Sequence, residues 1–198
     1  MTGHETIAAM IARAAGGDEA AQRALYERHH AASFRLTCLL LHNTCDAEEV
    51  VQDAFVYVFR NLHRYDPERG SFWTWLRVIL VSRCRNKYRR RRLALVPLET
   101  LDVASPEPAD PAQLLEMRGA QRAVWEALQQ VSQGAREALV LRYYESLPYA
   151  EISKLLGCSP AAARSRVAHG KVQLRRLLSA SHEEPSRESA VAHAVKAG

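Results

Sequence analysis

The stretch from Phe72 to Arg92, FWTWLRVILVSRCRNKYRRRR, constrains this chain more than any other. No Gly or Pro interrupts it, and Phe72, Leu76, Ile79, Leu80 and Arg83 recur at helical spacing. Its first half is almost wholly apolar and carries Trp73 and Trp75. Its last ten residues hold seven cations: Arg83, Arg85, Lys87, Arg89, Arg90, Arg91 and Arg92. The expectation is one helix, with the apolar half anchored in a core and the basic half projecting from it as a charged rod. The negative pole of a helix attracts cations, which accounts for two or three Arg but not for seven. So many like charges on one short rod repel one another in isolation. Beside a polyanion they release condensed counterions instead, so the stretch points to nucleic acid.

The remaining charge is unevenly placed. The chain has 198 residues, enough for two small domains or one larger one, and 27 Lys+Arg against 22 Asp+Glu, a net +5. Basic residues cluster in 83–92 and 164–176, and acidic residues in 46–53. A protein that touches both DNA and a basic protein surface carries charge in this way. The four cysteines, at 38, 45, 84 and 158, form no CxxC pair, so a reducing cytosol is expected. The sharpest metal candidate is Cys38, His42 and Cys45, but no fourth ligand is evident and structural zinc is not expected. MTGHETIAAMIARAAGGDEA has no basic region before a long apolar run, so it does not read as a signal peptide. No apolar run reaches membrane-spanning length, and a cytoplasmic protein without membrane insertion is expected. No P-loop, Gly-rich phosphate cradle or HExxH motif is present, so neither catalysis nor a cofactor is expected.

Helical signals run along the whole chain. A short helix over Ile7 to Ala15 stops at Gly16-Gly17, and Asp18 is suited to cap the next, Glu19 to His42. Asp46 with Glu49 resembles a capping box opening a helix through Leu62. In it Val50, Val51, Ala54, Phe55, Val58, Phe59 and Leu62 form a wide apolar face. Asp46, Glu48, Glu49 and Asp53 crowd its first turns, either as acids favoured by the helix dipole on a solvated face or as a docking surface. Arg64 to Gly70 is a turn-rich loop, and Ser71 can cap the helix that follows. Pro97, Pro106, Pro108 and Pro111 then mark an extended linker, placed at 93–115. The domains are therefore 1–92 and 116–179, with a polar tail at 180–198 expected to be disordered or only transiently helical.

In the second domain a helix from Ala112 to Val131 points Leu115, Val124, Trp125 and Leu128 toward a core, and a further helix from Ser132 to Tyr144 carries Leu139, Val140 and Tyr143. Then comes LPYAEISKLLGCSPAAARSRVAHGKVQLRRLL. A short helix follows Pro148 and ends at Leu156, with Ile152 and Leu155 inward. Gly157 stands where a tight turn needs positive φ. Ser159 can cap, and Pro160 opens the last helix. Ala163, Val167, Gly170, Leu174 and Leu177 form its buried stripe, with Arg164, Ser165, Ala168 and Lys171 opposite. Short helix, Gly turn and basic helix make either a helix-turn-helix or an ordinary helical hairpin; the spacing and charge favour the DNA binder. The fold class is all-α: two small helical domains, a flexible Pro-rich linker, and a helix-turn-helix in the second domain.

DAEEVVQDAFVYVFRNL (46–62), RYDPERGSF (64–72) and WLRVILVSRCRNKYRRRR (75–92), followed by EALVLRYYESLPYAEISKLLGCSPAAARSRV (137–167), resemble the extracytoplasmic-function class of bacterial RNA polymerase sigma factors. The resemblance covers roughly residues 20–92 and 116–178. It implies a subunit that binds core polymerase, recognises the −35 and −10 promoter elements and promotes strand opening. Asp46, Glu49, Gln52, Asp53 and Phe55 fall on the helix that docks on the polymerase clamp in this family. Arg64, Tyr65 and Ser71 belong to the loop that captures a flipped base of the non-template strand. Trp75, Arg83, Arg85 and Lys87 belong to the helix that reads and melts the −10 element, although Trp73 and Trp75 read equally well as core. Arg164, Ser165, Arg166, His169 and Lys171 match the −35 recognition helix, where Arg pairs bidentately with guanine. The implied partners are core RNA polymerase and promoter DNA, and in this family an anti-sigma factor can hold the subunit.

The chain departs from the family pattern at Ser82, Asn86, Ala162 and His169, which bears on promoter preference rather than class. The rival reading is a free-standing helix-turn-helix regulator, which leaves the acidic helix and the 83–92 rod without a role.

Overall fold

The computed structural model of the protein describes residues 6–94 and 119–196, and every regular element among them is helical. The chain divides into two compact units, Met1–Pro108 and Ala109–Gly198. The linker expected over 93–115 lies outside the described residues, apart from Leu93 and Ala94, which finish a helix.

The first unit holds α1 (Ile7–Ala15), α2 (Glu19–Leu41), α3 (Thr44–Arg60) and α4 (Phe72–Ala94), with 3₁₀ turns at Leu62–Arg64 and Pro67–Arg69. Local chemistry sets each boundary. Asp18 opens α2 by accepting from the Ala20 and Ala21 amides at 2.9 and 3.1 Å. The Arg13 hydrogen bond, with those amides, holds its carboxyl below the ordinary value. His42, at φ 53, ends α2 in the left-handed region with its amide on the Cys38 carbonyl. The cap of α3 differs from the expected one. Asn43 caps it, accepting from the Asp46 amide at 2.7 Å. The helix has therefore begun at Thr44, and Asp46 lies inside it. Ser71 caps the start of α4 as expected, its Oγ accepting from the Thr74 amide at 3.2 Å.

α2, α3 and α4 share one core, with α1 laid against α2. Leu25, Leu36, Val51, Val58, Phe72, Leu76 and Leu80 are fully buried in it. Each such side chain contributes about 1.5–3 kcal/mol relative to exposure, and this fixes which face of α4 turns inward. The basic half of α4 does not project as a rod. The Tyr88 hydroxyl donates to the Leu40 carbonyl at 2.7 Å, satisfying an end group of α2, and Arg83, Lys87 and Arg91 lie along α3.

The second unit holds α5 (Gly119–Gln130), α6 (Gln133–Leu139), a π-helical turn (Val140–Tyr144), α7 (Tyr149–Leu156) and α8 (Pro160–Lys196). Leu115 lies outside the described residues. Trp125 and Leu128 are buried as expected, but Val124, one position around the helix, is exposed. The helix expected from Ser132 to Tyr144 widens after Leu139. The Glu145 amide donates to the Val140 carbonyl, five residues back, at 3.1 Å. The extra residue in that turn carries Tyr143 outward to 58% exposure. Gly170 lets α8 lie close on α6, because a Cβ there would stand 2.8 Å from Leu139 Cδ1 and 3.3 Å from Ala135 Cβ. Ala163, Val167 and Gly170 are buried, while Leu174 and Leu177 are half-buried. α8 continues to Lys196, into the tail expected to be disordered or only transiently helical. No described helix is long and apolar enough to cross a membrane.

Candidate functional site

Asp46, Glu49 and Asp53 follow one another at three and four residues along α3, so they share a face. That face meets α4. Lys87 Nζ stands 3.4 Å from Asp46 Oδ1 and also donates to Glu49 Oε2. Arg91 pairs with Asp46, and Arg83 Nη1 lies 3.6 Å from Asp53 Oδ2. Burial pulls the Lys87 ammonium down, but the Glu49 hydrogen bond and the Asp46 charge outweigh it and leave it above its ordinary value. Exposure divides the acids. The Asp46 side chain is 11% exposed, against 61% for Glu49 and 64% for Asp53. Gln52 is also exposed, its amide donating to Glu48 Oε1 at 3.3 Å.

The five residues expected on the docking face therefore split. Glu49, Gln52 and Asp53 form an open ridge, extended by the exposed Val56, which the sequence reading missed. Asp46 is an interior countercharge. Phe55 is 2% exposed and meets Tyr26 edge-on at 4.8 Å between centroids, so it belongs to the core rather than to a contact surface.

A cleft of about 210 Å³ opens where the 3₁₀ turns meet the start of α4. Arg64, Tyr65, Arg69, Ser71, Thr74, Trp75 and Val78 are among its walls. Arg64, Tyr65, Ser71 and Trp75, all expected from the sequence, are brought together here. The Tyr65 hydroxyl donates to the Gly70 carbonyl at 3.2 Å, which ties the loop back on itself. Gly70 sits at φ 143, a conformation that disfavours any side chain. Half-buried Trp75 has two sides: its ring lies 5.8 Å from Tyr65 and 6.1 Å from Phe72, and it also lines the cleft. Trp73 turns elsewhere and stacks on His29 with centroids 6.3 Å apart, while burial and then the Arg28 charge push the His29 imidazole below its ordinary value.

From Trp75 the cleft side of α4 continues through Val78, Ser82, Arg85, Asn86 and Arg89 at helical spacing. Arg83, Lys87 and Arg91 lie nearly opposite, against α3. The expected trio of Arg83, Arg85 and Lys87 is thus divided between two faces. Only Arg85 lies on the side that continues the cleft, and the exposed Arg89 joins it.

In the second unit α7, a tight turn and α8 form the helix-turn-helix. Gly157 takes φ 59, and the Cys158 amide reaches back to the Ser153 carbonyl at 3.0 Å. Ser159 Oγ accepts from the Ala162 amide at 3.1 Å, with Pro160 at the first helical position. Arg164, Ser165, Ala168, His169 and Lys171 are exposed together. Arg166 is half-buried and passes over Gly134 at the start of α6, so it departs from the face the sequence gave it. A groove of about 320 Å³ beside this face includes Tyr143, Tyr149, Arg164, Lys171 and Arg175. Tyr143 reaches it through the π-helical turn, for which the sequence carries no periodic signal.

Cys38 and Cys45 do not share a helical face, because the left-handed His42 ends α2 between them. Cys38 is buried, and burial with the Glu48 charge pushes its thiol up to about 12, whereas Cys45 is exposed. Among the described residues no group of three His, Cys, Asp or Glu is placed to hold a metal ion.

Both units match known families. Residues 25–94 match Sigma-70 region 2 and residues 121–174 match Sigma-70, region 4. The ECF RNA polymerase sigma factor SigE of Mycolicibacterium smegmatis is 34% identical over 182 residues, covering 89% of this chain and 69% of the relative. The chain belongs to the extracytoplasmic-function sigma factors of RNA polymerase. SigK of Mycobacterium sp. (strain JLS) is 30% identical over 87% of this sigma factor and 90% of the relative. CarQ of Myxococcus xanthus is 32% identical over 82% and 92%. Among solved structures, CnrH in complex with the cytosolic domain of CnrY has a TM-score of 0.57 at 26% identity, covering 86% of this chain and 96% of that one. RpoE in complex with the anti-sigma factor NepR from Bartonella quintana shares the fold, with a TM-score of 0.62 at 19% identity over 79% and 96%. Region 2 of this sigma factor thus contains most of α2, with α3, α4 and the cleft, and region 4 contains the helix-turn-helix.

Proposed function

We propose that this sigma factor divides its work among three surfaces. Core polymerase docks on the α3 ridge of Glu49, Gln52, Asp53 and Val56. The cleft between the Arg64–Ser71 loop and Trp75 holds a base extruded from the −10 element, while Arg85 and Arg89 follow the backbone beside it. Arg164, Ser165, His169 and Lys171 enter the −35 major groove. The observation that carries this reading is the cleft. It gathers aromatic and basic side chains that can stack on an unpaired base and bond to it. An operator-binding regulator has no use for such a cleft. Arg83 and Lys87 act mainly within region 2, as partners of the α3 acids.

The protein catalyses nothing itself and works in the cytoplasm, where core polymerase and promoter DNA are. A protein that binds and withholds it is a further partner. CnrH, 26% identical, is seen in complex with the cytosolic domain of CnrY.

Titration with core polymerase tests the reading. Full-length sigma factor alone should bind a promoter fragment weakly and without sequence preference, and addition of core should create specific binding. Specific binding of equal strength without core would favour the free-standing regulator.

A further inference from the structure

In region 4 two guanidinium groups converge on one ring. The Arg142 Cζ lies 5.0 Å from the centroid of Tyr149, and the Arg164 Cζ lies 5.5 Å from it. The two arginines differ in how they are held. Arg142 is half-buried, and its Nη1 donates to the Leu147 carbonyl at 2.8 Å, which fixes it against the turn before α7. Arg164 is exposed on the outer face of α8, and the ring of Tyr149 is its aromatic contact. Tyr149 itself is the first residue of α7, directly after Pro148 at φ −70. The Gly157 turn sets α7 against α8, so the position of this ring relative to α8 is built into the motif.

An arginine side chain in solvent samples many rotamers and gives up that freedom when it binds in one orientation. Bidentate pairing with a base edge requires one plane and one direction. A ring within about 6 Å of the guanidinium attracts it electrostatically. Here it also counters the repulsion from Arg142 and from Lys171 and Arg175, which line the same groove. Ordering the side chain before DNA arrives removes part of the cost of ordering it afterwards.

We infer that Tyr149 is a specificity-determining positioning residue, which holds Arg164 ready for one base pair of the −35 element. The inference rests on the proposed role of Arg164 as a base reader, and it adds a residue that is not among the expected −35 contacts. It assigns the role to the ring and not to the hydroxyl. An exposed cation–π contact shifts a rotamer population ~2- to 5-fold, so that is the size of the expected effect.

The test uses holoenzyme assembled from full-length chain and core polymerase, bound competitively to a duplex library randomised over the −35 element. Wild type, Y149F, Y149A, R164A and Y149A/R164A are compared by sequencing bound and free pools, with melting curves to verify folding. R164A should abolish preference at one base pair. Y149A should weaken preference at that same pair ~2- to 5-fold and leave affinity for the remaining sequences and its salt dependence unchanged. Y149F should retain the wild-type preference, and Y149A should add nothing once Arg164 is gone. If Y149A lowers affinity for every sequence alike, or if Y149F behaves as Y149A, Tyr149 is a phosphate contact or a packing residue and the inference is overturned. If R164A leaves every preference intact, Arg164 reads no base, and the underlying reading fails with the inference.

Discussion

Lys87 of α4 lies 3.4 Å from Asp46 of α3, across the interface between the most basic and the most acidic segments of the chain. The Asp46 side chain is 11% exposed and also pairs with Arg91. Asp46 is therefore the countercharge for Lys87 and Arg91 where α4 folds against α3. Its neighbours Glu49 and Asp53 complete the row but keep most of their surface in solvent. One acidic helix thus carries an inner charge that holds region 2 together and outer charges available to a partner.

That division predicts two separable phenotypes. Removing one member of a fully buried pair costs about 3–5 kcal/mol, and exposed pairs contribute about 0.2–1 kcal/mol. D46N should fall between, lowering region 2 stability by about 1–3 kcal/mol in denaturant melts. The E49K/D53K double variant should keep its helical circular dichroism yet bind core polymerase more weakly in gel filtration. Wild-type core binding by that double variant would remove the α3 ridge from the interface.

The close approach of α8 to α6 depends on Gly170. In G170A the new methyl group meets Leu139 and Ala135. Overpacking costs about 1–3 kcal/mol, offset by up to about 1 kcal/mol of helix propensity. The region 4 transition should move to lower temperature in calorimetry while the region 2 transition stays in place. A higher melting temperature for region 4 would show that the helices separate without cost.

Stability should also fall at high pH. The folded chain keeps the Cys38 proton up to about 12, whereas an unfolded thiol loses it near 8.5. Between these limits the folded state binds more protons, so stability declines by about 1.4 kcal/mol per pH unit. Lys87, held above its ordinary value, acts in the same direction at the upper end of the range. Urea titrations from pH 8 to 11 should show the decline, and C38A should flatten it at its lower end. An unchanged slope in C38A would mean that the thiol is hydrated.

Much of this was legible in the sequence because caps and turns are local. Asp18, Ser71, Gly157 and Ser159 act where the residue types place them. One cleft gathers Arg64, Tyr65, Ser71 and Trp75, which the motif resemblance assigned to two successive segments. What the sequence concealed is which partner each charge meets. A run of seven cations reads as a rod awaiting DNA because the α3 acids lie some forty residues earlier in the chain. Phe55 stood both on the apolar face read from periodicity and among the docking residues the resemblance implied, and its ring packs on Tyr26 in the core. The π-helical turn that exposes Tyr143 breaks the helical periodicity at a point that no residue type marks.

The most direct test of strand opening is permanganate reactivity of promoter thymines, read on the promoter that holoenzyme selects from genomic fragments. A row of arginines attracts duplex and single strand alike through counterion release, so on the proposed reading the cleft must hold an unpaired base for the strands to open. Wild-type holoenzyme should make −10 thymines reactive. A variant with Tyr65–Arg69 replaced by Gly and Ser should still assemble with core and bind the promoter, yet leave those thymines protected. Wild-type reactivity in the loop variant would contradict the account.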